Sequence, residues 1–525
     1  MEQPAAQGKQ RGRDRGIGRL VGFACAQPGR ACGLLIGLHL LVWTLVPILV
    51  CRNLQLDLAE GLALGKEWQL GYWKLPPLPW WLDALAYRAA GNVRILYLLG
   101  PLACVVALYV VWRLGCRVAS PQIALLAVVM LEGLHFFNYT AVKFNHDVLQ
   151  LPLWSLTALF LHRAVVDGRS TDWILSGVWI ALAFWTKYTV VALGAPIALL
   201  LLIDPFARRT WRTPGPWLMA AAFAVLVAPH LWWLVAHDFV PLHYADVRAR
   251  LTVRWYEWIV FPLRWIGSQL LFQLPTLVVL ALAVLGAPRA RAPHESRADE
   301  AAAFARRYLT VMALGPFLLV TLGAALSGRL AIAMWGYPLW TLLPLAVLAW
   351  ADPAIEGARL RIVARACLLV LLVVPAAYAA DELFEPLLRD RPKATQFPGR
   401  LLAETVTRDW HETTGTPLTY VGGADFGASG IGEFAANTVA VYSPDRPHVV
   451  VHGEPRLSPW VDPADLDRRG AVFLWEPVDA SGRLPANIAA TFPRAELQSP
   501  LVLPRQTLYP RKPAVVNRAI LRPRP

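Results

Sequence analysis

Apolar segments long enough to cross a lipid bilayer recur along the first 380 of the chain's 525 residues. A spanning helix needs about 20 mostly apolar residues, and we count about eleven candidates. They lie at residues 31–50, 94–112, 121–137, 148–163, 174–186, 188–203, 217–236, 257–286, 308–326, 331–350 and 366–380. Only 16% of the residues are charged, against about 25% in soluble domains. The sequence therefore predicts a polytopic α-helical membrane protein with about 11 transmembrane helices.

The surplus of positive charge predicts how these helices are oriented. Lys and Arg total 50 and Asp and Glu total 36, which gives a net charge of +14. Because cytoplasmic loops collect Lys and Arg, we place residues 1–30 in the cytoplasm as a basic tail that leads into a retained signal-anchor helix. The Arg-rich loops all lie on that side only if residues 174–203 cross twice; these loops are 113–117, 163–169, 208–212, 289–307 and 359–365. We expect a multi-pass inner-membrane protein with a periplasmic C-terminal segment.

Residues 381–525 differ in character from the preceding chain. They contain short runs of β-branched and aromatic residues between turn residues, at 419–421, 449–452 and 471–475, and such runs are typical of strands. The sequence therefore predicts a transmembrane domain over residues 31–380, followed by a small soluble α/β domain over residues 381–525.

A basic balance also raises the question of nucleic-acid binding. The Arg residues are spread over many predicted loops and do not gather on one face with aromatic residues between them, so the balance does not indicate a nucleic-acid partner. The sequence has no Gly-rich phosphate-binding loop, no nucleophile elbow and no zinc-finger spacing.

The first predicted periplasmic loop, residues 51–93, carries a pair of acids. Asp57 and Glu60 are three residues apart, so on a helix both carboxylates share one face. Such a pair can supply a general base and a second group that orients an acceptor or a metal. The alternative is a solvated helix start, where Asp57 is stabilised by the positive end of the helix dipole.

The same loop continues through Tyr72, a further candidate for substrate binding, to Lys74, which precedes Leu75-Pro76-Pro77. The prolines make this segment rigid and non-helical, so Lys74 is a candidate for binding a phosphate as a point charge. The alternative is an interfacial lysine among tryptophans, reaching toward lipid headgroups.

Further ionisable and polar residues lie at the predicted periplasmic ends of helices, and we regard them as candidates for substrate binding. Ionisable groups at membrane depth are costly and point to function. Lys187 interrupts an apolar stretch, although a structural counter-ion is the alternative; the histidines are also compatible with ordinary loop positions. The set consists of Asn145, His146, Asp147, Lys187, His230 and Arg329.

These motifs resemble the GT-C membrane glycosyltransferases, in particular the protein O-mannosyltransferases and the aminoarabinose lipid A transferases of family 39. The resemblance rests on Asp57-Leu-Ala-Glu60 and Lys74-Leu-Pro-Pro-Leu78. It extends through Phe144-Asn-His-Asp147, Phe184-Trp-Thr-Lys187, Pro229-His-Leu-Trp-Trp233 and Trp335-Gly-Tyr-Pro-Leu-Trp340. It covers roughly residues 31–350.

The resemblance implies a polyprenyl-phosphate sugar donor that enters from the bilayer. The sugar passes with inversion to an acceptor on the periplasmic side, which is lipid A or another glycolipid, a polysaccharide or a protein. It implies that Asp57 is the base and that Lys74 and Lys187 bind the lipid phosphate. In the family a second acid directly follows the Asp, whereas here that position is Leu58 and the nearest acid is Glu60. No cofactor is implied with certainty, and one pair of acids is too few ligands to argue a divalent metal.

Two other classes fit part of the pattern. A membrane transporter or lipid flippase of envelope precursors also has ionisable groups near helix breaks, although it would favour an internal repeat that is not evident here. A non-catalytic assembly factor is the third alternative, and donor-dependent turnover separates both from an enzyme.

Overall fold

A computed structural model describes residues 16–290, 297–388, 393–424, 433–476, 483–507, 509 and 511–524. Most of the basic tail expected over residues 1–30 lies outside this part of the chain, including Lys9, Arg11, Arg13 and Arg15. A short helix and a longer one begin the described chain.

Sixteen α-helices make up the described chain up to residue 388. They are α1 Gly16–Ala26, α2 Pro28–Val50, α3 Leu56–Gly65, α4 Leu78–Ala90, α5 Leu96–Val118, α6 Pro121–Leu131, α7 His146–Asp167, α8 Ser170–Phe184, α9 Val191–Ile203, α10 Gly215–Ala236, α11 Val240–Arg248, α12 Glu257–Phe272, α13 Leu274–Val284, α14 Arg297–Ser327, α15 Leu343–Ala351 and α16 Gly357–Leu388. Short 3-10 helices link them at Val93–Ile95, His135–Phe137, Tyr188–Val190, Ala207–Arg212 and Ala333–Trp340.

The described helices include six that are long and apolar enough to cross a membrane, or eight if two bent pairs each count as one span. The six lie in α2, α5, α7, α10, α14 and α16. Three other predicted spans correspond to the shorter apolar helices α6, α8 and α9. The chain is thus a multi-pass membrane protein, while the expected count of about 11 is not confirmed.

The segment expected as one span over residues 257–286 is divided by a 68° bend between α12 and α13. Pro275 lies in the first turn of α13, and a proline lacks the N–H that would continue the hydrogen bonds of the preceding helix. The second bent pair, Ala333–Trp340 with α15, turns by 44° and has Pro344 at the corresponding position.

Helix α7 is the centre of the bundle. It is buried over most of its length and packs against α5 and α8. By contrast, α2, α10, α14 and α16 leave most of their apolar surface uncovered, as expected for helices whose solvent is lipid. The N-terminal end of α7 therefore lies where several elements meet.

The C-terminal region, residues 393–524, combines helices with one sheet. The elements are α17 Gly399–Thr414, β1 Tyr420–Gly422, α18 Phe434–Tyr442, β2 His448–Val450, α19 Pro463–Arg469, β3 Ala471–Trp475, α20 Ala486–Thr491, β4 Glu496–Leu503 and β5 Ala514–Leu521, with 3-10 turns at Ala394–Gln396, Val451–Gly453 and Pro455–Leu457. The strand order is β2-β1-β3-β5-β4; β1 runs parallel to β2 and β3, and β5 is antiparallel to β3 and β4.

The strand prediction is confirmed for the three runs named from the sequence, with two differences in extent. The run expected at 471–475 matches β3 in full, and the run expected at 419–421 is strand β1 at Tyr420–Gly422. The run expected at 449–452 ends as a strand at Val450, because His452 has a left-handed backbone with φ 53°. Extended strands need negative φ. The exact division at residue 380 stays a prediction, and α16 continues to Leu388.

The C-terminal region packs on the loop between α2 and α5, which we call the first loop (residues 51–93). Helix α18 lies against α3. The Nζ of Lys66 donates to the carbonyls of Arg446 and Pro447 at 2.7 and 2.6 Å. Glu67 accepts from His448 at 2.9 Å. This packing brings C-terminal residues close to the acids of the first loop.

Candidate active site

Asp57 lies in the first turn of α3, where its charge is favourable to the helix dipole. The Nδ2 of Asn145 donates to its Oδ2 at 2.8 Å. The Oδ1 of the same Asn145 caps α7 by accepting from the backbone N–H groups of Asp147 and Val148. One amide therefore connects Asp57 to the buried end of the central helix. Both interpretations of Asp57, helix start and site residue, are compatible with this position.

Lys74 and Glu60 form an ion pair next to Asp57. The Nζ of Lys74 lies 2.6 Å from Oε2 of Glu60, and it lies 5.7 Å from the ring centroids of both Trp73 and Trp80. Burial lowers the pKa of Lys74, but Glu60, Tyr244 and Asp57 more than offset this, so the pKa is above its ordinary value. These neighbours therefore favour the charged form of Lys74.

A second ion pair, in which both residues are buried, joins Lys187 and Asp147. The Nζ of Lys187 lies 2.6 Å from Oδ1 of Asp147, and both side chains are at most one-tenth exposed. Lys187 occupies the break between α8 and α9, as the sequence indicates. The irregular backbone at this break is thus packed inside protein.

Hydrogen bonds from the first loop connect the Lys74–Glu60 pair to the segments that carry Lys187 and Asp147. The Nε2 of His146 donates to the carbonyl of Pro76 at 2.9 Å, which assigns the proton to that nitrogen. The backbone N–H of Leu78 donates to the carbonyl of Trp185 at 3.1 Å, in the break that carries Lys187. Consecutive residues Asn145, His146 and Asp147 therefore hold Asp57, the Lys74 segment and Lys187 respectively.

Two further candidates, His230 and Tyr72, form hydrogen bonds to backbone carbonyls of the first loop. The Nδ1 of the buried His230 donates to the carbonyl of Leu70 at 2.6 Å, and its Nε2 forms a hydrogen bond with the hydroxyl of Tyr188 at 3.0 Å. Tyr72 is fully buried and its hydroxyl donates to the carbonyl of Leu64 at 3.0 Å. Both side chains fix the first loop, and their predicted contact with substrate stays a prediction.

Arg329 lies apart from these contacts. It pairs with Asp246 and also donates to the carbonyl of Ala249 at 3.1 Å. Arg329 and Asp246 line a cavity of about 410 Å³. The cavity is mostly apolar and is bounded by α9, α11 and α14, with Thr189 two residues from Lys187. Arg329 therefore places a cation at the edge of an apolar cavity.

Asp83 on α4 is a site residue that the sequence analysis missed. It is 1% exposed, and its Oδ1 has no hydrogen-bond partner among the described residues. Burial, together with the neighbouring Asp57, raises its pKa well above the usual range. A Cβ at Gly61 would lie 2.1 Å from its Oδ2, so a glycine is required for this approach. The available signal was a lone acid in a mostly apolar helix, whose other charged residue is Arg88.

Glu433, in the C-terminal region, was also missed. It is buried and accepts from the backbone N–H of His452. Burial raises its pKa to about 8; the His452 N–H and Lys74 oppose the rise, and Glu60 adds to it. The charges of Glu60 and Lys74 are thus close enough to act on Glu433. No local pattern could have found it, because it joins the first loop only through tertiary packing.

The positions of the acidic and histidine side chains bear on whether the site binds a divalent metal. Across the described ranges, no three His, Cys, Asp or Glu side chains group so as to hold a metal ion. The carboxylates of Glu60 and Asp147 are instead directed at lysines. We therefore derive no step through a metal.

The fold has known counterparts. Two structures of ArnT from Cupriavidus metallidurans match it along nearly the whole chain: the apo state with a TM-score of 0.58 and the undecaprenyl phosphate complex with 0.56. They cover 94% and 92% of this chain and 98% and 97% of theirs, at 13% and 14% identity. At such identities the likeness concerns the fold, and it confirms that this chain has the GT-C fold of membrane glycosyltransferases.

Similarity in sequence to known proteins covers part of the chain. Residues 74–233 match the family described as dolichyl-phosphate-mannose-protein mannosyltransferase. The lipid A galacturonosyltransferase RgtD of Rhizobium johnstonii is 32% identical over 211 residues, which are 39% of this chain and 44% of RgtD. The lipopolysaccharide core galacturonosyltransferase RgtB of the same organism is 26% identical over 198 residues, or 36% of this chain and 39% of RgtB. The matches thus span less than half of these relatives.

Proposed function

We propose that this protein is a glycosyltransferase that moves a sugar from a polyprenyl-phosphate donor to a glycolipid acceptor of the lipid A or lipopolysaccharide type. The observation that carries the proposal is the joint arrangement around residues 145–147. A carboxylate for proton transfer, Asp57, is held in the same cluster as two lysines, the half-buried Lys74 and the buried Lys187. This combination matches the needs of a reaction whose leaving group is a phosphate.

In this proposal, Lys74 and Lys187 donate hydrogen bonds to the phosphate leaving group. Each ammonium group has three N–H donors, and the carboxylates of Glu60 and Asp147 are the ion-pair partners described for them. The remaining donors of Lys74 and Lys187 are available to a phosphate. Preorganised cations in a site with little water stabilise developing charge well.

The proposed reaction has one displacement step. The oxygen of an acceptor hydroxyl forms a bond to the anomeric carbon of the sugar, while the bond from that carbon to the phosphate oxygen breaks. The hydroxyl proton passes to Asp57, and the electron pair of the broken bond stays on the polyprenyl phosphate. Attack from the face opposite the phosphate inverts the anomeric configuration. The amide of Asn145 orients the Asp57 carboxylate for this transfer.

The cavity beside Arg329 supports a lipid-linked donor. Its walls of Ala192, Leu242, Val320 and Ala324 are apolar and lie among helices with uncovered apolar surface. An isoprenoid chain is compatible with such walls, and Arg329 adds a cation where the phosphate end would approach. The undecaprenyl phosphate in the ArnT structure is a molecule of this class.

The names of the relatives indicate the substrates to test first. RgtD and RgtB are galacturonosyltransferases that act on lipid A and on the lipopolysaccharide core. We therefore propose a hexuronosyl donor and a lipid A or core acceptor, with a polysaccharide or a protein as the alternatives. We further propose that the protein lies in the inner membrane with its first loop and C-terminal region in the periplasm, because only that orientation places the Arg-rich loops in the cytoplasm.

The test is transfer by the purified protein from undecaprenyl-phosphate galacturonate to lipid A, followed by mass spectrometry of the glycolipid. Wild type is expected to add one hexuronosyl unit, and Asp57→Asn to lower the rate about 10²–10⁴-fold through loss of the base. Asp167→Asn is a matched control, since Asp167 ends the same helix, α7, at the opposite end from Asn145.

Unchanged transfer by Asp57→Asn would overturn the assignment of the base. If wild type transferred no sugar from a panel of hexuronosyl, hexosyl and pentosyl donors, but moved the donor lipid across a vesicle membrane, the transporter or flippase alternative would replace the proposal. A reporter fusion after residue 381 checks the orientation, because cytoplasmic activity there would contradict a periplasmic site.

A further inference from the structure

His452 lies in a backbone conformation that normally favours glycine. Its φ is 53° and its ψ is 17°, in the left-handed region, and it is followed by Gly453 with φ 67°. Non-glycine residues rarely adopt this conformation, and those that do are held by their surroundings. A histidine at this position therefore needs a physical reason.

The surroundings that hold the turn are specific. Glu433 accepts from the backbone N–H of His452, and the Nδ2 of Asn487 donates to its carbonyl at 2.5 Å. Both of these hydrogen bonds are made to the backbone, so they would hold a glycine equally well. The backbone contacts explain how the turn is maintained but do not explain the imidazole.

The imidazole ring packs on the first loop. Its centroid lies 4.5 Å from that of Trp73, with the rings inclined by 66°, an edge-to-face arrangement that aromatic pairs favour. Tyr244 packs on the same indole with a centroid distance of 4.9 Å. Trp73 is therefore in contact with both the C-terminal region and α11.

Trp73 immediately precedes Lys74, and its ring is one of the two indoles near the Lys74 ammonium. A lysine has a long, flexible side chain, so an ammonium that is to meet a phosphate in one place needs rigid neighbours. Glu60 fixes the charged end of Lys74. The two indoles flank the ammonium at 5.7 Å, and the His452 ring packs on one of them.

We propose that His452 is a positioning residue for Lys74, through which the C-terminal region completes the active site. The inference rests on the proposed glycosyltransferase activity and adds a role for a part of the chain that carries none of the sequence motifs. His452 acts through Trp73 and is not assigned contact with the substrate.

The test separates the effect of the imidazole ring on activity from the effect of the left-handed turn on stability. His452→Gly removes the ring and relieves the left-handed strain, whereas His452→Phe keeps an aromatic ring against Trp73. We expect His452→Gly to have an apparent melting temperature equal to or above that of wild type, and a kcat/KM for sugar transfer at least tenfold lower. His452→Phe is expected to retain kcat/KM within about threefold of wild type.

A purely structural role predicts a different result, because His452→Gly would then be as active as wild type. That result, or a His452→Phe variant as inactive as His452→Gly, would overturn the inference while wild-type transfer left the proposed function intact. Absence of transfer by wild type in the same assay would overturn the proposed function and this inference together. The control is His411→Ala, since His411 is an exposed residue of α17 that binds the carboxylate of Asp445, and the activity of this variant is expected to be unchanged.

Discussion

The Nδ2 of Asn145 lies 2.8 Å from Oδ2 of Asp57, across 88 residues of sequence. This hydrogen bond links the start of the central helix α7 to the acid that we propose as the base. Because Asn145 also caps α7, the position of the carboxylate is tied to the most deeply buried helix of the bundle. The predictions below follow from this bond and from its neighbours.

Replacing Asn145 by Ser separates its two contacts. A serine still caps a helix but is too short to keep the bond to Asp57. We expect the transfer rate to fall about 10²-fold, since misplacement of a reacting group has effects of this size, with little change in melting temperature. Asn92→Ser is the control, because Asn92 is exposed and caps only the short helix Val93–Ile95. Equal activity of Asn145→Ser and wild type would contradict the role of the bond.

The Lys187–Asp147 pair predicts that a single and a double variant differ in stability but not in activity. Lys187→Met leaves the Asp147 carboxylate buried without its partner, which we expect to destabilise the protein by about 3–5 kcal/mol. Asp147→Asn in the same chain removes the stranded charge and is expected to recover most of that loss. Both variants are expected to lose about 10²-fold or more in transfer, because Lys187 is absent from each.

Thermal unfolding in detergent and transfer rates measure the two effects. Arg209→Met is the control for the pair, since Arg209 and Glu300 are both exposed, and such a pair contributes about 0–1 kcal/mol. A double variant that regained activity along with stability would show that Lys187 is only a structural counter-ion.

Gly61→Ala tests the close approach of Asp83 to α3. The added Cβ would lie 2.1 Å from Oδ2 of Asp83 and 3.0 Å from Cδ1 of Trp80. We expect a loss of about 1–3 kcal/mol in the free energy of unfolding, as for other overpacked sites, and slower transfer because Trp80 flanks Lys74. Gly267→Ala on α12 is the control, because nothing lies within 4 Å of its added Cβ. Similar melting temperatures for both variants would contradict the packing.

Glu433 predicts a pH dependence of stability. Its folded-state pKa of about 8 lies above its ordinary value of 4.5, so the folded protein binds the proton more tightly than the unfolded chain does. The stabilisation from protonated Glu433 is therefore complete below about pH 4.5 and is lost as the pH rises through 8. Glu433→Gln, which cannot ionise, is expected to lose less melting temperature than wild type between pH 5 and pH 8.5. Parallel pH profiles of the two proteins would contradict the raised pKa.

Several local features of the site could be predicted from the sequence. A helix starts beside Asp57, a break falls at Lys187, and β3 spans Ala471–Trp475. Each of these depends on a pattern within a few residues, such as an interrupted apolar run or a β-branched stretch between turns. The roles of the site residues stay predictions, but their gathering at one end of α7 is a property of the structure.

Other features depended on contacts between distant residues. The bend between α12 and α13 had a local signal in Pro275 that the apolar run concealed. The burial of Asp83 had only a weak local signal, and the approach of Glu433 and His452 to the first loop had none. Their surroundings come from α3 and from Trp73, which are close in space but not in sequence.

By itself, the sequence determined a multi-pass helical membrane protein, its GT-C resemblance and the loops that carry its polar residues, because hydrophobicity and short motifs are local properties. The tertiary structure alone decided which carboxylate meets which lysine. Glu60 and Lys74 are 14 residues apart, and Asp147 and Lys187 are 40 apart. Such choices follow from packing, since a buried charge is tolerated only where the fold brings it a partner.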